Sequence, residues 1–113
     1  MTTIVLTTLN ARYAHASLAL RCLRANLGEL RDASRIVEFV TGRRAEDVVE
    51  QLLAHAPRIV GFSVYIWNVA ETARIVALLK AVAPQVVVVV GGPEVSHEVE
   101  TQRICALADH VVT

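Results

Sequence analysis

Apolar and polar positions along the chain fall into blocks whose period changes. Thr3 to Thr8 is a short apolar run that predicts a first strand, and the stretch Leu9-Asn10-Ala11-Arg12-Tyr13-Ala14 predicts a polar loop. From His15 to Leu27 the apolar positions Leu18, Leu20, Cys22, Leu23 and Leu27 roughly follow a helical period, with Gly28 as its stop. Ser34 to Val40 reads as a second strand, after which Gly42 turns the chain. Ala45 to His55 predicts a helix with Val48, Val49, Leu52 and Leu53 on one side and Glu46, Asp47 and Glu50 on the other. Ile59 to Ser63 predicts a third strand. A third helix is expected over about Asn68 to Val82, opened by Asn68 and Glu71 as a variant capping box and ended by Pro84. A fourth strand at Val86 to Val90, a fourth helix within Glu94 to Leu107 and a fifth strand from His110 to Val112 complete the alternation.

Strands alternating with helices of this length imply right-handed crossovers and a parallel sheet. The predicted fold is therefore α/β, a flavodoxin-like (Rossmann-like) three-layer fold with a five-stranded parallel sheet of order 2-1-3-4-5. Unbroken Val and Ile in the third and fourth runs predict strands buried on both faces. In that order strands one, three and four are neighbours, so the loops beginning near Thr8, Ser63 and Gly91 share the carboxyl edge, where ligands of open parallel sheets bind. The apolar run begun at His110 is cut at Thr113, so residues 1–113 read as one domain, the amino-terminal fragment of a longer protein.

Composition narrows the partners. The chain is 54% hydrophobic and 4% aromatic, an aliphatic bias suited to central parallel strands under Ala and Leu helices. Eleven basic and eleven acidic residues cancel, which removes the electrostatic case for nucleic acid or an anionic membrane and leaves a small-molecule ligand or a protein surface. Cys22 and Cys105 form no Cys-x-x-Cys and have no His at ligand spacing, so they read as free thiols of a cytoplasmic protein. No signal peptide is visible, and no apolar stretch approaches the ~20 residues that span a bilayer.

Several ligands are disfavoured at that edge. A flavin phosphate needs a Gly/Ser/Thr-rich loop after strand one, and Thr7-Thr8-Leu9-Asn10-Ala11-Arg12 has no glycine. A phosphoacceptor site needs acidic residues where Thr8, Leu9 and Ser63-Val64 stand. No Gly-x-Gly-x-x-Gly and no Walker sequence occurs.

Three segments carry a resemblance: Gly61-Phe62-Ser63-Val64-Tyr65-Ile66-Trp67-Asn68, Val90-Gly91-Gly92-Pro93-Glu94, and the opening from Thr7 to Leu18. Together they resemble the amino-terminal cobalamin-binding domain of cobalamin-dependent radical S-adenosylmethionine enzymes, over essentially the whole chain. The resemblance implies that Ser63 contacts the base of the cofactor's nucleotide tail and that Gly91 and Gly92 leave room for that tail. It implies that Tyr65 and Trp67 offer flat surface beside the corrin ring and that Pro93 and Glu94 sit at its rim. In the opening segment it brings Asn10, Tyr13, His15 and Ser17 to the cofactor. The Asp-x-His-x-x-Gly of better known cobalamin domains is missing, as in many radical enzymes of this type, so the resemblance implies a lower cobalt face without a histidine, with the nearby His15 as the alternative cobalt ligand. The resemblance further implies a downstream domain of the same chain holding an iron–sulfur cluster and S-adenosylmethionine, since the Cys-x-x-x-Cys-x-x-Cys for such a cluster is not in these residues.

Each residue also has a plainer reading. Ser63 can end its strand by bonding local backbone, Gly91-Gly92-Pro93 can make a tight turn, and a lone His15 can bond backbone at a helix start. The alternative function is accordingly a flavodoxin-like interaction or substrate-recognition module without cobalamin. If the glycine pair does hold the tail, Leu in place of Gly92 is expected to block binding with little unfolding.

Overall fold

The computed structural model of the chain describes residues 3–10, 18–65, 68–92 and 103–112. Aliphatic β-branched runs form β1 (Ile4–Asn10), β2 (Ser34–Val40), β3 (Ile59–Ser63), β4 (Val87–Gly91) and β5 (His110–Val112). Between them lie α1 (Leu18–Ala25), a short 3₁₀ helix (Gly28–Ala33), α2 (Ala45–Leu53), α3 (Val69–Val82) and α4 (Arg103–Leu107). All strand pairs are parallel and the order is β2-β1-β3-β4-β5, the flavodoxin-like arrangement expected. The register sets Thr8 beside Ser63, Ser63 beside Gly91 and Gly91 beside Val112, so the carboxyl ends form one row.

The two faces of the sheet are not equivalent. On one face Val5 and Leu9 of β1, Val60 and Phe62 of β3, and Val88 and Val90 of β4 meet α2, α3 and Ile104 of α4 in a single large core. On the other face Ile4 and Leu6 meet Leu20 of α1, with Leu27, Ile36 and Ile59 packed around them. Here α1 contacts β1 and β2. Among the described residues no helix covers β3, β4 and β5 on that side.

This corrects the expectation that β3 and β4 are buried on both faces. Their burial alternates, with Ile59, Gly61, Ser63, Val87, Val89 and Gly91 only half-buried. Apolar residues without alternation thus mark one face sealed by helices and one open apolar face. Strand β1 also outruns its predicted end at Thr8, because Leu9 and Asn10 still pair with Phe39 and Val40 of β2. Helix α1 gives way to 3₁₀ turns, with Asn26 bonded to Leu23 and Leu27 to Arg24, before Gly28 takes a positive φ of 59° and opens an unforeseen 3₁₀ helix. No helix among the described residues is long and apolar enough to cross a membrane.

An ion pair closes the amino end of the sheet. Lys80 Nζ donates to Pro84 O at 3.1 Å, to Val86 O at 2.9 Å and to Asp109 Oδ2 at 2.8 Å. The same carboxylate oxygen accepts the Val88 amide at 2.8 Å. These two donors, Lys80 first, hold the Asp109 carboxyl below its ordinary range. A depressed folded-state pKa gives stability that is complete above the unfolded value, about 3.9, and is lost as pH falls through the folded value. Because the pair is partly exposed, Asp109→Asn is expected to cost roughly 1 kcal/mol at near-neutral pH. Thermal melts of both proteins across a pH series should show that difference shrinking in acid; a difference that grows in acid contradicts the assignment.

Candidate functional site

The carboxyl edge is organised by a buried amide. Asn68 precedes α3 as the sequence predicts, and Thr72 N donates to its carbonyl at 2.8 Å to begin the helix. Its side chain makes no capping bond, however, and the capping-box expectation fails. Asn68 is 1% exposed. Its Nδ2 donates to Leu9 O at 3.0 Å and Thr8 Oγ1 at 3.2 Å, with a longer contact of 3.4 Å to Ser63 O. Its Oδ1 accepts the Tyr65 amide at 2.9 Å, and Thr8 Oγ1 donates to Ser63 O at 2.7 Å. One residue thereby ties the end of β1 to the end of β3 and fixes the start of the following loop. Glu71, the expected capping partner, instead accepts the Gly42 amide at 2.9 Å.

A second tie joins β3 to β4. The Val64 amide donates to Gly91 O at 2.7 Å, and Gly92 lies against the Val64 backbone with φ of 114°. A Cβ at Gly92 would stand 2.6 Å from Val64 O and 2.9 Å from Val64 N. Only glycine accepts both the dihedral and the approach. The expectation that Leu at Gly92 would leave the fold intact is therefore overturned, because even one methyl group collides with backbone.

Beside these ties opens a cleft of about 620 Å³ on the sheet face that α1 covers in part. Its floor is made by Leu6 of β1, Ile59, Gly61 and Ser63 of β3, and Val89 and Gly91 of β4. Leu20, Leu23 and Leu27 supply one wall, and Val112 lies on the β5 side. Leu23 is 50% exposed and Val112 60%, so the cleft is open to solvent along its rim. A Cβ at Gly61 would come 3.2 Å from Leu6 Cδ2, a movable side-chain end, and one at Gly91 would meet Val112 at ordinary contact distance. The two glycines therefore enlarge the cleft without being demanded by backbone packing.

Among the described residues the lining holds no charged side chain, and its polar side chains are Ser63 and Tyr65. The Ser63 carbonyl is taken by Thr8 and Asn68, while its hydroxyl has no hydrogen-bond partner among the described residues. This places Ser63, Tyr65, Gly91 and Gly92 together, as the sequence expects. Asn10 stands apart at the β2 side of the edge, where its Nδ2 donates to Glu38 Oε1 at 3.1 Å and Arg21 pairs with Glu38 at 3.0 Å. Tyr13, His15, Ser17, Trp67, Pro93 and Glu94 lie outside the described residues. No group of three or more His, Cys, Asp or Glu side chains able to hold a metal gathers among the described residues. Cys105 is a free thiol, its pKa raised by burial, and the Cys22 side chain lies outside those described.

Sequence reasoning did not single out Asn68 as a cross-link, nor Leu6, Gly61 and Val89 as cleft residues. A glycine inside the apolar run of β3 was the available signal, since such a glycine marks close approach or space for a ligand.

Residues 4–113 match the family model of the B12 binding domain. No curated protein matches the sequence significantly. Among solved structures the chain resembles a novel cobalamin-binding protein from Desulfitobacterium hafniense DCB-2, with a TM-score of 0.66 and 19% identity over 98% of this chain and 52% of that one. The chain thus spans about half the length of that protein. It also resembles a CheY-like protein from Pseudomonas aeruginosa PAO1, with a TM-score of 0.67 and 18% identity over 98% of this chain and 87% of that one. At such identities both likenesses show the fold and leave the chemistry to the site.

The steric position of Gly92 gives a direct test. Gly92→Ala is expected to lower stability by at least about 1–3 kcal/mol, the cost of a strained backbone, to which the collision of its Cβ with the Val64 backbone adds. Denaturant melts that leave Gly92→Ala as stable as the parent would contradict the close approach to Val64.

Proposed function

The chain belongs to the B12 binding domain family, and on that premise we propose that it seats cobalamin with the nucleotide tail lodged in the cleft beside α1. The observation that carries this is the cleft itself: an open, apolar hollow that runs along the sheet face from Ile4 and Ile59 up to the carboxyl edge, with its floor lowered by Gly61 and Gly91. Its volume lies within the ~300–1,000 Å³ usual for small-molecule sites. The residues present fit the tail's base, a flat aromatic group that needs an aliphatic slot with few polar groups, while the solvent-open rim beside Leu23 and Val112 suits its polar sugar and phosphate.

The division of labour follows from the side chains. Leu6, Ile59 and Val89 exclude water and hold the tail's base by apolar contact. The Ser63 hydroxyl, without a hydrogen-bond partner among the described residues, offers that base a hydrogen bond. Asn68 acts through backbone, fixing the Tyr65 amide and both strand ends so that the mouth of the cleft keeps its shape. His15 is the cobalt-ligand candidate, Asn10, Tyr13 and Ser17 are the further cofactor-binding candidates of the opening segment, and Trp67, Pro93 and Glu94 are those beside the ring and at its rim. Cobalamin, when bound, supplies methyl carriage or another radical step at its cobalt.

We assign the chain more finely to a radical S-adenosylmethionine enzyme, in which a downstream domain holds the iron–sulfur cluster and S-adenosylmethionine. Support for this is the resemblance of residues 7–18, 61–68 and 90–94 to the cobalamin domains of such enzymes. The neutral charge balance agrees with a small-molecule cofactor rather than nucleic acid or membrane.

Titration with hydroxocobalamin, followed by removal of excess ligand and a visible spectrum, tests the seat. Retained corrin with the tail base displaced from cobalt is the expected result. Gly61→Val should fold as well as the parent, since Leu6 has the cleft to move into and Val suits a strand. Its affinity for cobalamin should nevertheless fall tenfold or more. Unchanged affinity in the folded variant contradicts the placement, and no retention by the parent favours the interaction module without cobalamin.

A further inference from the structure

The lining of the cleft bears on which cobamide it takes. Natural cobamides share the corrin ring and differ in the base that ends the nucleotide tail, which ranges from dimethylbenzimidazole to adenine. The two bases are similar in size, so a cleft of about 620 Å³ does not separate them by volume. They differ in polarity. Dimethylbenzimidazole presents two methyl groups and one free ring nitrogen, whereas adenine adds an exocyclic amine and further ring acceptors.

The described walls answer that difference on one side only. Leu6, Ile59, Val89 and Leu20 present carbon, and the polar side-chain atoms of the described lining are the hydroxyls of Ser63 and Tyr65. The sheet backbone beneath offers little more, because β3 is paired with β1 on one side and β4 on the other, and the Gly91 carbonyl is taken by the Val64 amide. A buried polar group left without a partner costs its full desolvation, while an apolar group in the same place is favoured. We infer that the cleft selects cobamides by the polarity of the tail's base, accepting dimethylbenzimidazole and rejecting adenine. This rests on the reading that the tail occupies the cleft.

The test compares three probes on the whole chain by equilibrium titration: hydroxocobalamin, the adenine-bearing cobamide, and cobinamide, which lacks the nucleotide tail. Cobalamin is expected to bind tenfold or more tightly than the adenine form, a gap equal to about 1.4 kcal/mol. Cobinamide is expected to bind more weakly than cobalamin. Val89→Thr keeps the shape and strand preference of Val89 while adding a hydroxyl to the floor, and it should narrow the gap between the two complete cobamides. Equal affinity for those two, with cobinamide still weaker, overturns the selectivity and leaves the tail in the cleft. Cobinamide binding as tightly as cobalamin removes the tail from the cleft and the selectivity with it. A gap unchanged by Val89→Thr also overturns the inference, because the discrimination would then lie outside this lining.

Discussion

The carboxyl edge depends on the buried amide of Asn68. It spends both hydrogens and its oxygen on groups from three places in the chain, the end of β1, the end of β3 and the loop after β3. An amide so enclosed is tolerable only because it is paired, and each buried group left unsatisfied by its removal costs about 1–3 kcal/mol. The approach of Gly92 to Val64 carries the tie onward to β4. The row Thr8, Ser63 and Gly91 is thereby a fixed rim rather than three independent loop starts.

Above that rim the sheet is asymmetric. The face packed on α2, α3 and α4 is sealed, whereas the face under α1 keeps apolar side chains half exposed along β3 and β4. Leaving aliphatic surface in water is unfavourable by about 25 cal/mol per Å², so any apolar group that fills the cleft gains what the open face forgoes. The same physics accounts for a described lining that is uncharged and whose polar side chains are Ser63 and Tyr65. Family membership and the cleft agree without either being needed to define the other.

Much of this architecture was readable in the sequence. The bounds of β2, β3 and β5 coincide with apolar runs, and the βα alternation dictates the strand order once crossovers are right-handed. Ser63 and Gly91 were readable as neighbours because they end adjacent strands of similar length. What escaped was the occupancy of each face: an unbroken Val run looks the same whether a helix or a ligand lies over it. Asn68 escaped for a similar reason, since an Asn before a helix looks like a cap even when its amide reaches back to two strands. Gly92 read as half of a permissive turn, because the Val64 backbone it touches is distant in sequence.

The central claim is that the apolar face beside α1 receives the cofactor's tail. Methyl-resolved NMR of the chain, recorded with cobalamin and with tailless cobinamide, tests it most directly. The account predicts that the methyl groups of Leu6, Ile59 and Val89 shift with cobalamin and far less with cobinamide, while those of Val60, Val88 and Leu79 on the sealed face hold their positions. Equal shifts with both ligands, or shifts centred on the sealed face, would contradict it.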